Sequence, residues 1–516
     1  MLPNLHSRKR SRDDPRESAM RGDSFLQGDM GHAISAVVLE KYADLPKTGK
    51  PQANEYTLLA GFVLADGPLA AGEPSNLQVV ALGTGTKCLG AAQRSSHGDL
   101  VNDCHAEIVA RRALLAYLHS EIALLSEEEG GASQIFERVP AAKGRPQRFR
   151  MREGIGLHMY TTQPPCGDAS VFELDAGASP ISAAEACSCA PPAEDAPGPT
   201  SSGAGDVATG GAPDVSVTGA DGQNRTGAKL VDSSPWTETG RAQARGMARR
   251  KPGRGDPTLS MSCSDKLAKW SVLGIQGTLL SSLLAQPLYL DTLTVAQHPG
   301  GARALSAVRR AIGGRLTGAG LEGRLEETGG RFCLRPAEVL EGFPAPYQLS
   351  SAAATSSSAC GFAVVWHAGG GGPSGTHEVV MGARGRKQGT SKKGALSTKT
   401  RSAIAPASLL LSFQHLASSI PDLHEGGMDR KPYQELKESA TEYRSARTAL
   451  LAPPSWSIRP RSVRQFDILH VTSQQILLSN LVGFILIELT KKGKEKDVGI
   501  FCDHPLASVS KIARCG

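Results

Sequence analysis

The 516-residue chain predicts an α/β layered domain, and three features carry that expectation. Apolar runs from Tyr56 to Ala65, Leu77 to Leu82 and Gly156 to Thr161 have the length and bounding turns of buried strands. Between the last two lies the strongest helical signal, with Ile108, Leu115, Leu118, Ile122 and Leu125 on one face. Strands that alternate with long helices pack as a helix-covered sheet, and loops at the strand ends then carry the chemistry.

Residues 1–29 are polar and aperiodic and read as a disordered basic tail, whose run Ser7 to Arg12 is either a nuclear-import signal or merely solvated. Order is expected from near His32, where Ala33-Ile34, Val37-Val38 and Lys41-Tyr42 recur at helical spacing. The first strand ends at the turn Asp66-Gly67-Pro68, and the second runs into Gly83-Thr84-Gly85-Thr86-Lys87. Asp103 is the expected N-cap of the long helix, and Gly130-Gly131 its stop. The third strand leads to Pro164-Pro165-Cys166. A low-complexity insertion at about 176–250 interrupts a domain that spans 30–467, because Ala, Gly, Ser, Pro and Asp cannot bury enough surface to offset chain entropy. Order returns by Thr258, with a helix from Ser264 past Trp270, strands at Leu288 to Val295, Phe362 to Trp366 and Glu378 to Met381, and one helix from Pro432 to Leu451. Residues 468–516 form an unassigned tail.

A composition 40% hydrophobic and 21% charged is that of a globular protein, and a net charge of +7 permits an RNA partner while excluding an acidic chain that repels phosphate. Ten cysteines without the tight, even spacing of a disulfide scaffold place the chain inside the cell, in nucleus or cytoplasm. The longest apolar run, Ile476 to Leu489, contains Ser479, Asn480 and Glu488 and falls short of a bilayer span, so no membrane association is expected.

The chemistry concentrates in two fragments. His105-Ala106-Glu107 opens a helix and Pro165-Cys166 follows a strand, which together match the first half of the zinc-deaminase signature, where His and Cys bind zinc and Glu moves protons. That signature places a second Cys three residues after the first, where this chain has Ala169. A catalytic zinc still needs three protein ligands and an open position. Cys104 would point about 100° away around the helix. Cys187 and Cys189 lie in the insertion, and Cys333, Cys360, Cys502 and Cys515 lack a motif. Cys263 remains, in a turn that opens a helix, where the dipole and Lys266 would favour a thiolate. Such a site activates water toward hydrolytic loss of an exocyclic amine, with Glu107 as the proton shuttle. A zinc that merely staples the fold would be Cys-rich and closed by a fourth ligand. The zinc site alone does not distinguish adenine from cytosine.

Longer stretches resemble the adenosine deaminases acting on RNA and their tRNA-specific relatives: Gly83 to Cys88, Asn102 to Glu107 with Arg111-Arg112, Pro165 to Asp168, and Ser262 to Lys266 continuing through Trp270 to Gly277. The resemblance covers roughly residues 32 to 467 outside the insertions and implies a cytidine-deaminase-like mixed sheet with helices on both faces, extended by a C-terminal α/β portion. It implies adenosine as substrate and Cys263 as third ligand. Only about 30 polar residues precede the domain, and Arg225 to Lys229 and Lys251 to Asp256 match the tRNA branch, whose substrate is position 37 of alanine tRNA. An editor of double-stranded RNA, or a silent RNA-binding protein with the same fold, is the alternative. No obligate protein partner is inferred.

The family also buries inositol hexakisphosphate. Carried over by motif, its ligands here are Asn102, Arg111, Arg112, Lys266, Lys269, Trp270 and Thr278, then Lys393, Tyr433, Lys437, Tyr443 and Arg447, and finally Trp456. By the same resemblance Thr86 and Lys87 contact ribose and phosphate around the target base, and Asp103 links the polyanion to the zinc site. The run Arg245, Arg249, Arg250, Lys251 and Arg254 either grips tRNA or solvates a linker.

Overall fold

In the computed structural model, the residues described are 15–452, apart from 67–75, 127–131, 141–147, 174–216, 219–222, 231–242, 253–255, 319, 351–356, 370–371 and 392–395. The unassigned tail, and with it Lys393, Trp456 and Arg254, lies outside the described residues.

The apolar runs form the middle of an eight-stranded mixed sheet. In chain order its strands are β1 (Leu59–Asp66), β2 (Leu77–Thr84), β3 (Ile155–Thr161), β4 (Thr292–Ala296), β5 (Glu338–Gly342), β6 (Phe362–Gly369), β7 (Gly372–Met381) and β8 (Arg386–Lys387). They lie side by side as β5-β4-β3-β1-β2-β6-β7-β8. Strands β3, β4 and β5 run parallel, and β1 pairs antiparallel with both β2 and β3. Helix α1 (Pro15–Asp44) packs Ile34 and Val38 with Leu59, Val63 and Leu82 of the sheet. Successive residues of a strand face opposite sides, so Gly83, the neighbour of Leu82, faces the second layer, α2 (Ala106–Ser126). A Cβ on Gly83 would stand 2.3 Å from the Ala110 nitrogen, so only glycine lets this helix approach so closely. A second core forms where α3 (Cys263–Leu273) places Ala268, Val272 and Leu273 against Leu316, Phe332, Tyr443, Ala446 and Leu450. Among the described residues no helix is long and apolar enough to cross a membrane.

Several boundaries differ from expectation. Helix α1 reaches back to Pro15, into the segment read as a tail. Proline suits the first helical turn, and good helix formers such as Arg16, Glu17, Ala19 and Met20 propagate a helix without an apolar stripe, which periodicity overlooks. Asp103 caps no helix, because Asp103–His105 form a short strand paired with Thr86–Cys88, and α2 begins at Ala106. Order within the insertion returns before Thr258: Phe172–Glu173 pairs with Gln223–Arg225, which pairs with Val217–Thr218, and Lys229–Leu230 pairs with Arg249–Arg250. The stretch from Pro432 is two helices, Tyr433–Ser439 and Thr441–Leu450, broken where Ala440 takes ψ 64°.

Candidate active site

Three elements meet at the site. The strand Asp103–His105 delivers His105, the loop after β3 delivers Cys166, and the first turn of α3 delivers Cys263. All three side chains are buried. His105 Nδ1 lies 3.8 Å from Cys166 Sγ and 3.7 Å from Cys263 Sγ, and the three donor atoms fall within 4.8 Å of one another. Zinc bonded at about 2.3 Å to sulfur and about 2.0 Å to nitrogen spaces tetrahedral donors about 3.5 to 3.8 Å apart, so this triangle fits a metal ion. Burial, then the Cys166 thiol, pushes the Cys263 thiol well above its ordinary value. A dication is the kind of charge that reverses such a shift.

Backbone geometry holds the triangle. Gly85 adopts φ 130°, and its carbonyl accepts from the Ala106 N–H at 3.0 Å, which fixes the turn beside His105. Ser262 caps α3 by accepting from the Asp265 N–H at 3.2 Å. Ser264 Oγ donates to the Cys166 carbonyl at 2.8 Å and accepts from the Ala169 N–H at 3.0 Å. The position where the usual signature has a second Cys is thus a buried alanine tied to the helix that supplies Cys263.

Glu107 stands two residues beyond His105, 3% exposed, and its Oε2 has no hydrogen-bond partner among the described residues. A buried carboxylate oxygen left unpaired is costly, and such orphans gather where a substrate or water completes the site. Thr86 is buried opposite His105 in the strand pairing, and Lys87 is half-buried beside it.

Asp103 is the hub behind the ligands. Its Oδ1 accepts from Lys251 Nζ at 2.9 Å and from the His105 N–H at 3.1 Å, and its Oδ2 pairs with Lys266. Burial opposes its charge, but Lys251 and Lys266 outweigh that and hold its carboxyl well below the usual range. The ammonium at Cys263 is that of Lys251, 3.2 Å from Sγ, and not that of Lys266, which turns to Asp103. The basic run is therefore no solvated linker throughout. Lys251 is buried, and Arg249 is fully buried, donating to the Ala228 and Ala244 carbonyls at 3.1 and 2.9 Å. Arg245 is exposed and pairs with Glu173. Lys251 is the site residue that sequence reasoning assigned to a tRNA grip or a solvated linker, although its Lys-Pro-Gly-Arg-Gly-Asp setting matched the tRNA branch.

Asp103 also lines a cavity of about 900 Å³ between α2, α3 and the C-terminal helices. Of the residues expected to bind a polyanion, Asn102, Arg111, Arg112, Lys266, Lys269, Trp270, Thr278, Tyr433, Tyr443 and Arg447 line it, joined by Arg94 and Gln276. Lys437 stacks its ammonium 4.9 Å from the Tyr433 ring centre. Lys266 is matched by Asp103, but the two arginines of α2 are held by carbonyls: Arg111 donates to that of Ile275 at 2.8 Å and Arg112 to that of Ile404 at 2.5 Å, while Arg112 Nη2 is buried without a partner among the described residues. Burial, together with Arg447, Arg111, Lys437 and Lys266, lowers Lys269 to about 7, and burial and Arg111 lower Arg112 to about 10. Cations concentrated in a cavity at such cost fit a multiply charged anion.

The pattern of the adenosine-deaminase (editase) domain matches residues 81–453. The tRNA-specific adenosine deaminase 1 of Mus musculus is 33% identical over 507 residues, covering 82% of this chain and 96% of that protein. Its Drosophila melanogaster counterpart is 34% identical over 260 residues, covering 50% of this chain and 53% of that protein. The double-stranded RNA-specific editase Adar of Drosophila melanogaster is 27% identical over 322 residues, or 61% of this chain and 37% of that protein.

Proposed function

The chain belongs to the adenosine-deaminase (editase) family, and we propose that it converts adenosine to inosine in transfer RNA, at position 37 of alanine tRNA, with zinc held by His105, Cys166 and Cys263. The observation that carries this reading is the donor triangle with the unpartnered Glu107 Oε2 two residues from its histidine. The reaction consumes water, forms a C–O bond at the purine carbon and releases ammonia. When bound, zinc supplies the Lewis acidity that brings the ionisation of water toward neutral pH. Glu107 Oε2 takes the proton that the attacking water gives up and hands it to the departing amine. Lys251 Nζ, pressed between Asp103 and Cys263, holds the thiol side of the site in register. Thr86 and Lys87 orient the ribose and phosphate of the target nucleotide.

The match over 96% of a tRNA-specific deaminase, against 37% of the double-stranded RNA editase, favours the tRNA reading. An anticodon loop also presents unstacked bases, so less energy is spent on extracting one. The polyanion of the cavity is inositol hexakisphosphate, held by the cations named above with Lys393 and Trp456. The enzyme acts in nucleus or cytoplasm. Glu107→Gln tests the core of the proposal: inosine formation in tRNA is expected to fall by about a hundredfold or more while bound zinc stays stoichiometric. Unchanged activity would remove Glu107 from the chemistry.

A further inference from the structure

Among the described residues three large apolar side chains are exposed: Phe343 at 45%, Tyr347 at 51% and Leu396 at 36%. The first two lie in one segment, Phe343-Pro344-Ala345-Pro346-Tyr347, and looseness does not expose them. The Phe343 N–H donates to Ser35 Oγ at 3.0 Å, and its ring stacks on His32 with centroids 4.3 Å apart at 15°. Pro346 sits at φ −52° and ψ 145°, and Leu349, three residues later, is buried. The Gln348 carbonyl accepts from the Thr57 N–H at 2.9 Å, while its Nε2 donates to the Gln52 carbonyl at 3.0 Å. The Phe343 ring is thus held in place while half exposed, and the backbone on either side of the exposed Tyr347 is tied down, so little backbone entropy is left to lose on binding.

Their place in the fold says what meets them. Strands β3, β4 and β5 are parallel, so their carboxyl ends share one edge; that of β3 leads to Cys166 and that of β5 to Phe343. Two strand spacings separate them, about 10 Å. A second connection runs through backbone hydrogen bonds. Gln348 bonds Thr57, the Gly85 N–H donates to the Leu58 carbonyl at 3.1 Å, and the Gly85 carbonyl accepts from Ala106, the residue between His105 and Glu107. The aromatic segment therefore runs along the same sheet edge as the Cys166 loop and the Gly85 turn, on the side covered by α1. An enzyme that draws one base out of a loop leaves the neighbouring bases unpaired, and aromatic rings bind unpaired bases by stacking.

We infer that Phe343 and Tyr347 form a stacking platform for unpaired nucleobases that flank the target adenosine, an interaction that rests on the RNA-substrate reading above. The platform distinguishes loop RNA from a continuous duplex, whose bases offer no free face. The test measures the affinity of the full chain for an anticodon stem–loop and for a blunt duplex of equal length, in wild type, Phe343→Leu, Tyr347→Ala and Tyr347→Phe. Loss of one ring is expected to weaken stem–loop binding by about fivefold or more, leaving duplex binding and the melting temperature unchanged. Tyr347→Phe keeps wild-type affinity. Wild-type inosine formation with unchanged stem–loop binding in Phe343→Leu and Tyr347→Ala overturns the platform and leaves the deaminase reading standing. So does a variant that changes only self-association in sedimentation, which assigns the patch to a protein contact. A wild type that neither binds the stem–loop nor forms inosine overturns both.

Discussion

Asp103 is one carboxylate shared between two lysines and one backbone amide: it lies on the strand that bears His105 and lines the cationic cavity. Removing its charge leaves Lys251 buried against Cys263 with no carboxylate. Asp103→Asn is therefore expected to lower stability by about 3–5 kcal/mol in denaturant unfolding, more than the near-isosteric change in shape alone accounts for. His105, Glu107 and Cys166 were legible in the sequence because each sits in a short pattern whose spacing the chemistry dictates. Cys263 emerged by the missing Cys at position 169 and by the polar turn that caps α3. Lys251 was not legible, since a lysine within a basic run reads as solvated, and the segment that bears it is buried by long-range pairing of Arg249–Arg250 with Lys229–Leu230 and of Arg250 with Met261.

At the scale of elements, α2 is positioned by its contact with β2. Gly83→Ala would drive a methyl into the Ala110 nitrogen, and a loss of about 1–3 kcal/mol in thermal unfolding is expected, without loss of the metal ligands themselves. Helix α2 also carries Arg111 and Arg112 into the cavity, where α3 brings Lys269. With its pKa lowered to about 7, Lys269 is only partly charged at neutral pH when no anion is bound. An anion raises that value, so binding takes up a proton near neutrality. Calorimetric titration of anion-stripped protein with inositol hexakisphosphate in buffers of different ionisation enthalpy is expected to show this uptake, with affinity rising as pH falls through 7. The unfolded chain holds the lysine proton up to about 10.4, so between the two values the stripped protein gains stability as pH rises. Strand positions were readable from apolar runs, whereas the short pairings of the insertion were not, because two- and three-residue strands carry no periodicity.

Over the whole molecule, the sheet's carboxyl edge collects the ligand loop, the Gly85 turn and the aromatic segment, while the cationic cavity lies behind the ligands and is joined to them by Asp103. The layered architecture followed from alternation of strands and helices, but the joining of distant segments did not: Lys251 and Cys263 come to the site, and Gln348 to the same sheet edge, by long-range pairing that no local pattern encodes. The most direct measurement incubates the purified chain with alanine tRNA and, separately, with a long RNA duplex, and reads inosine by sequencing. Inosine at position 37 of the tRNA and none in the duplex is the predicted result; inosine in the duplex alone, or in neither RNA from metal-replete protein, would contradict it.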